Sequence, residues 1–222
     1  DIQSCFKKAN EIDDYIDAHF DYAFDEKYGY KTTYPTNTGT GMKAGYTLHL
    51  PSLSDARRLN DISAELGRFG LKFRTVYGDG QNGYGNLYQI STQKTLGQDE
   101  REVIKDLDDI VLQIVNQEKE QREHFYKKDK IQMDDEIYKS YGVLKYARKL
   151  SLKDSMVLIS ELMTGVSLGV LQFAHNGRYN INELIMDIQP AVLRQNSGKA
   201  MSVAETDVLR AEYIRKYLPE II

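Results

Sequence analysis

The chain has 222 residues and a net charge of −4, with 41% hydrophobic and 28% charged residues, which is the balance of an ordinary globular protein long enough to bury a real core. With no long basic run, no apolar run of membrane-spanning length and no signal-peptide pattern, it is not expected to wrap nucleic acid, coat an anionic membrane or cross one. Cys5 is the only cysteine, which excludes an intramolecular disulfide and any cysteine-based zinc cluster and fits a reducing cytoplasm.

In chain order, residues 2 to about 20 read as a helix with Phe6, Ala9, Ile12 and Ile16 on one face. Residues 22–24 and 30–33 are short strand candidates around the turn Asp25-Glu26-Lys27-Tyr28-Gly29. The stretch from Tyr34 to Leu50 is the one around which the chain is organised. Pro35 fixes a backbone angle, Asn37 can bond its own backbone, and Gly39 and Gly41 permit positive φ. The next residues alternate, with Met42, Ala44, Tyr46, Leu48 and Leu50 on one face of a strand and Lys43, Gly45, Thr47 and His49 on the other. A glycine-rich turn feeding a strand whose polar face opens with Lys and Gly suits a bound anion, because bare N–H groups approach it and a cation neutralises it. The bland alternative is a hairpin connection. His49 either reaches a nucleotide base or ribose or is a packed strand residue.

Ser54 is a candidate cap for a helix running to about residue 67, with Leu59, Ile62 and Leu66 as its apolar line. A strand over 71–77, a glycine-rich loop over 78–85 and a strand over 86–92 come next. The longest helix is expected from residue 98 to about 126. Ile104, Leu107, Val111, Ile114 and Val115 form its stripe, and Asp99, Glu100 and Glu102 suit its first turn. Beyond it the pattern is helical only, over 134–149, 152–164, 181–189 and 203–217, with helix-start boxes at Ser151-x-x-Asp154 and Ser202-x-x-Glu205. Strands with helices followed by helices alone predict an α+β part over residues 1–128 and a small α-helical part over 129–222.

Gly78-x-Gly80-x-x-Gly83 matches a dinucleotide fingerprint literally, yet a strand-like stretch comes after it where that fold needs a helix. The Asp-Phe-Gly and His-Arg-Asp signatures and the G-x-x-x-x-G-K-[ST] loop are absent. His19, His49, His124 and His175 are scattered, so no metal cluster is expected.

Tyr34-Pro35-Thr36-Asn37-Thr38-Gly39-Thr40-Gly41-Met42-Lys43-Ala44-Gly45 and Arg74-Thr75-Val76-Tyr77-Gly78-Asp79-Gly80, continued by 86–97, resemble the nucleotide-binding core of the phosphagen (ATP:guanido) kinases. Within that superfamily they look most like the bacterial protein arginine kinases, which carry Cys-Pro-Thr-Asn-x-Gly-Thr-Gly, a hydrophobic residue and Arg-Ala-Ser, and later Arg-Gly-x-Tyr-Gly-Glu-Gly. The resemblance covers nearly the whole chain. It implies an antiparallel sheet flanked by helices, Mg²⁺ and ATP as cofactors, and transfer of the γ-phosphoryl group to arginine side chains of proteins. It also implies a Clp-type unfoldase and a stress-gene repressor as partners, a cytoplasmic setting, and leaves a homodimer open. By the same resemblance, Lys43, Ala44, Gly45, Tyr46 and Thr47, with Arg74, Thr75, Val76, Tyr77, Gly78 and Asp79, contact ATP. Asp79 also orients the substrate guanidinium, and Thr36 and Asn37 shape the turn near the transferred phosphate. Thr206, Asp207, Arg210 and Ala211 correspond to an Arg-Asp-x-x-Arg-Ala motif that forms a phosphoarginine pocket.

Four positions depart from the pattern. Tyr34 replaces a reactive cysteine, Lys43 replaces Arg and loses the planar fork, Asp79 replaces Glu, and Thr206 replaces the first Arg of the pocket motif. Gly45 for Ser and Tyr46 for Val are further departures. Members of the family have an additional N-terminal portion that supplies the general-base carboxylate and further arginines, and the chain, starting at Asp1, reads as beginning just past it. A fragment without that portion is not expected to catalyse alone. The second reading, from a different class, is a non-catalytic relative that binds nucleotide, phosphoarginine or a partner as an adaptor.

Overall fold

A computed structural model describes residues 1–79, 82–97, 99–174 and 180–222. Gly80 and Gln81 of the glycine-rich loop, Gln98 at the expected start of the long helix, and His175 lie outside the described residues. In chain order the elements are α1 (Ile2–Asp17), β1 (Phe24–Asp25), β2 (Gly29–Tyr30), a 3₁₀ turn (Pro35–Asn37), β3 (Gly45–His49), α2 (Pro51–Asp55) and α3 (Leu59–Arg68). They continue with β4 (Leu71–Thr75), β5 (Gly78–Asp79), β6 (Asn82–Gly83), β7 (Leu87–Thr92) and α4 (Glu100–Lys128). The rest is helical: α5 (Lys130–Tyr146), α6 (Leu152–Leu168), α7 (Ile181–Asp187), α8 (Pro190–Ser197) and α9 (Val203–Tyr217). This is an α+β arrangement followed by helices, as expected.

Contacts divide the chain into two units, one of Asp1–Val76 with Tyr88–Lys119 and one of Tyr77–Leu87 with Glu120–Ile222. The hairpin formed by the glycine-rich loop thus groups with the helical unit. In the first unit the three-stranded sheet has the order β3-β7-β4, and β4 runs antiparallel to β7 with Leu71 opposite Thr92 and Thr75 opposite Tyr88. One face of this sheet is the core side, where Leu71, Tyr88 and Ile90 meet Leu50, Leu53, Ile62, Leu66, Leu107, Val111 and Ile114. In the second unit Ile137, Leu144, Met156, Ile159, Leu162, Leu184 and Ile214 form a separate core.

The helix expected from Ser54 to about residue 67 is two helices. Arg57 takes a left-handed backbone with φ 57°, ending α2 and letting α3 start afresh. Ser54 is therefore inside α2 and not its cap. The start of α2 is served from a distance, because the buried Glu118 carboxylate accepts from the Ser52 N–H at 3.1 Å and the Leu53 N–H at 2.9 Å. In the helical part, α8 lies in a stretch where no helix was expected. Pro190 ends the preceding helical run and opens the new one, since a first-turn proline gives up no needed hydrogen bond. The two helix-start boxes are present: Ser151 accepts from the Asp154 N–H, and Ser202 and Glu205 satisfy each other's N–H groups.

Candidate functional site

The turn that opens the organising stretch is strapped rather than free-standing. The Thr95 hydroxyl donates to the Thr38 carbonyl at 2.8 Å, and the Thr40 N–H donates to the Thr95 carbonyl at 3.1 Å. Gly39 sits in this strap with φ 118°, and a Cβ there would collide with the Thr95 carbonyl. Only glycine meets both demands. Thr36 is exposed and Asn37 half-buried, side by side in the 3₁₀ turn, and Tyr34 is 70% exposed next to them.

After this turn the alternation of β3 is realised. Ala44, Tyr46 and Leu48 pack toward the core, while Lys43, Gly45 and Thr47 are exposed on the opposite face. On β4 the same alternation leaves Lys72 and Arg74 exposed, and on β7 it leaves Gln89 and Ser91 on that side. Arg74 donates through Nε to the Gln89 carboxamide at 2.7 Å, directly across the pair. Gly45 lies tight against β7, so that an added Cβ would stand 2.8 Å from the Ile90 carbonyl oxygen. The outer face of the sheet therefore presents Lys43, Lys72 and Arg74 around a bare glycine backbone, and none of its outward strand residues is acidic. Exposed cations beside bare backbone, with no acidic neighbour on the strands, make a face whose electrostatics favour an anion. Lys72 is the member that motif matching missed. The period of two, counted back from Arg74, would have found it.

Tyr46 belongs to the other face. Its hydroxyl donates to Asp108 on α4 at 2.6 Å, and burial, reinforced by that carboxylate, pushes the phenol up to about 12. Tyr46 and Ala44 can therefore meet a nucleotide on the outer face only through their backbone. Thr75 is half-buried and Val76 exposed at the end of β4.

In the second unit, Tyr77, Gly78 and Asp79 enter the hairpin, where Gly78 pairs with Gly83 and Asp79 with Asn82. Tyr77 and Tyr84 stack with centroids 6.4 Å apart and pack against the helical core. On α9 the residues of the pocket motif are interior. Thr206, Arg210 and Ala211 are 2%, 1% and 0% exposed. Arg210 donates to the Ile188 carbonyl at 3.0 Å, the Leu150 carbonyl at 2.9 Å and the Asp207 carboxylate at 2.6 Å. Thr206 donates to the Ser202 carbonyl, and its hydroxyl is approached at 3.5 Å by Nε of Arg194, an exposed cation on α8.

Among the described residues no group of three or more His, Cys, Asp or Glu could hold a metal ion, and no helix is long and apolar enough to cross a membrane.

Residues 1–121 match the family model for the ATP:guanido phosphotransferase C-terminal catalytic domain, and residues 130–221 match that for the protein-arginine kinase McsB C-terminal domain. The protein-arginine kinase of Bacillus subtilis (strain 168) is 40% identical over 212 residues, which is 96% of this chain and 58% of that protein. That of Staphylococcus haemolyticus is 40% identical over 216 residues, 97% of this chain and 63% of that protein. The chain thus spans about three-fifths of the length of the curated relatives it matches. Among solved structures, the duplicated taurocyamine kinase from Schistosoma mansoni with bound transition-state-analogue components is 30% identical, with 51% of this chain and 16% of that one covered and a TM-score of 0.45. A lombricine kinase is 29% identical, with coverages of 44% and 26% and a TM-score of 0.38. With more than half of its residues matched by the catalytic-domain model, the chain belongs to the ATP:guanido phosphotransferase family, and its curated relatives are protein-arginine kinases.

Proposed function

We propose that the chain carries the nucleotide-binding face and the guanidinium-orienting loop of a protein arginine kinase. The observation that carries this is the acid-free outer face of the first unit's sheet, with Lys43, Lys72 and Arg74 exposed around Gly45. Phosphoryl transfer asks little covalent chemistry of a protein. Its main demands are position and compensation of charge on the phosphates. On this reading Lys43 and Arg74 hold ATP phosphates that bring Mg²⁺ with them, Thr36 and Asn37 shape the turn near the transferred group, and Asp79 orients the guanidinium. The terminal P–O bond of ATP breaks, an N–P bond forms to arginine, and the guanidinium proton leaves to a base. The cellular setting of the reading is cytoplasmic, with protein substrates that include stress repressors and a Clp-type unfoldase that takes the marked chains. The expected phosphoarginine residues are Thr206, Asp207, Arg210 and Ala211, with the phosphate on Arg210. Because Arg210 is buried and bonded to Asp207 and two carbonyls, this reading keeps Asp207 for the guanidinium and gives the phosphate to Arg194 near Thr206 instead.

The second reading, a nucleotide- or phosphoarginine-binding adaptor, is favoured by the exposed phenol of Tyr34 where relatives use a thiolate. The test takes the longest natural form of the protein with Mg·ATP and an arginine-rich protein and looks for acid-labile phosphate on arginine by mass spectrometry. Signal that disappears in Arg74→Ala is the expected result. Nucleotide binding without any phosphoarginine would transfer the assignment to the adaptor.

A further inference from the structure

The hairpin that carries Asp79 has its anchorage in the helical unit. At its entrance Tyr77 packs against the helical core, and the Tyr84 N–H donates to the Tyr77 carbonyl at 3.2 Å. At its exit two consecutive residues, Gly85 and Asn86, take left-handed backbone with φ 78° and 51°. Gly85 is buried against α6, where a Cβ would stand 3.0 Å from Cε and 3.2 Å from the carbonyl oxygen of Met156. Asn86 then reaches the same helix, its Nδ2 donating to the Ser160 hydroxyl at 3.1 Å. Met156 and Ser160 are each 1% exposed, so this helix face is a fixed base. Asparagine is among the few side-chain-bearing residues that tolerate this conformation, and here its amide also supplies the anchor.

We propose that Asn86 is a positioning residue for Asp79, acting through Ser160, so that α6 of the helical unit sets where the guanidinium-orienting residue is held. This rests on the kinase reading for the role of Asp79, whereas the anchorage itself does not.

Asn86→Gly keeps the left-handed backbone and removes only the amide bond, so the variant should fold. In the longest natural form, kcat/KM for an arginine-bearing protein should fall about tenfold, as sub-ångström misplacement allows, while affinity for Mg·ADP stays within about twofold. Ser160→Ala should act alike, and the double variant should be no worse than either single one, because both remove one shared contact. Unchanged kcat/KM, additive losses, or a joint fall of activity, nucleotide affinity and melting temperature would each overturn the proposal. Amide exchange on this chain decides the anchorage without any activity. Faster exchange confined to Tyr84 and the β5–β6 pair in Asn86→Gly supports it, and unchanged exchange there overturns it. If the unaltered protein transfers no phosphoryl group, the kinase reading falls, and the exchange result still judges the clamp.

Discussion

Arg210 places a permanent charge in the interior of the second unit and compensates it with one carboxylate and two carbonyls. Removing one partner of such a pair strands the others, so Arg210→Met should cost on the order of 3 kcal/mol, read as a drop in the urea midpoint. An unchanged midpoint would mean that water replaces the guanidinium. The motif made the Asp207–Arg210 spacing legible, since three residues apart is one helix face. Their burial was not legible, because it depends on Leu150 and Ile188, far away in sequence. Tyr46 carries a pH prediction. Its phenol sits at about 12 in the folded chain against 10.0 as the reference value, chiefly through burial and then through Asp108. A raised folded value stabilises fully below the unfolded one and is lost as pH rises between the two. Tyr46 should therefore contribute a fall in stability between pH 10 and 12, and Tyr46→Phe should flatten that part of the unfolding profile. An unchanged profile would remove Asp108 and burial as its cause.

At the scale of elements, the ends of helices divide into those written locally and those supplied from elsewhere. Ser151 and Ser202 announce their helices because their partners, Asp154 and Glu205, are three residues on. The start of α2 has no such cap and is met by Glu118, 66 residues after Ser52. Glu118→Ala should leave two N–H groups without their carboxylate and cost about 3 kcal/mol, since bonds to a charged group contribute about 1.5–3 each and are partly replaced by water. Thermal melting checks this, and a loss below about 0.5 kcal/mol, the range of an ordinary surface substitution, would deny the cap its role. The split between α2 and α3 was hidden for a similar reason. Nothing in Ala56-Arg57-Arg58 signals a turn, and Arg57 is bent only because both flanking helices are held by the core through Leu53 and Ile62.

At the scale of the whole molecule, each unit has its own core, and the proposed nucleotide face belongs to the first. A ligand that binds only the folded state stabilises it by mass action, by about 2.7 kcal/mol at a hundred times its dissociation constant. Mg·ADP should therefore raise the transition in which the first unit unfolds. The shift should vanish in the Lys43→Ala, Arg74→Ala double variant, whose own melting without ligand stays close to the parent because both side chains are exposed. Differential scanning calorimetry reads both, and a shift that survives the double variant would place the nucleotide elsewhere. From the sequence by itself came the family, most strands and helices in their order apart from the α2–α3 split, the β5–β6 hairpin and α8, the alternation that aims Lys43 and Thr47 outward, and two helix caps. All of these rest on interactions between residues a few positions apart or on motifs contiguous in the chain. Only the tertiary structure decided that Arg210 is interior, that Glu118 serves the start of α2, and that Gly85 and Asn86 at the exit of the hairpin bearing Asp79 meet α6. Those outcomes depend on which distant residues meet, and burial is a property of that meeting.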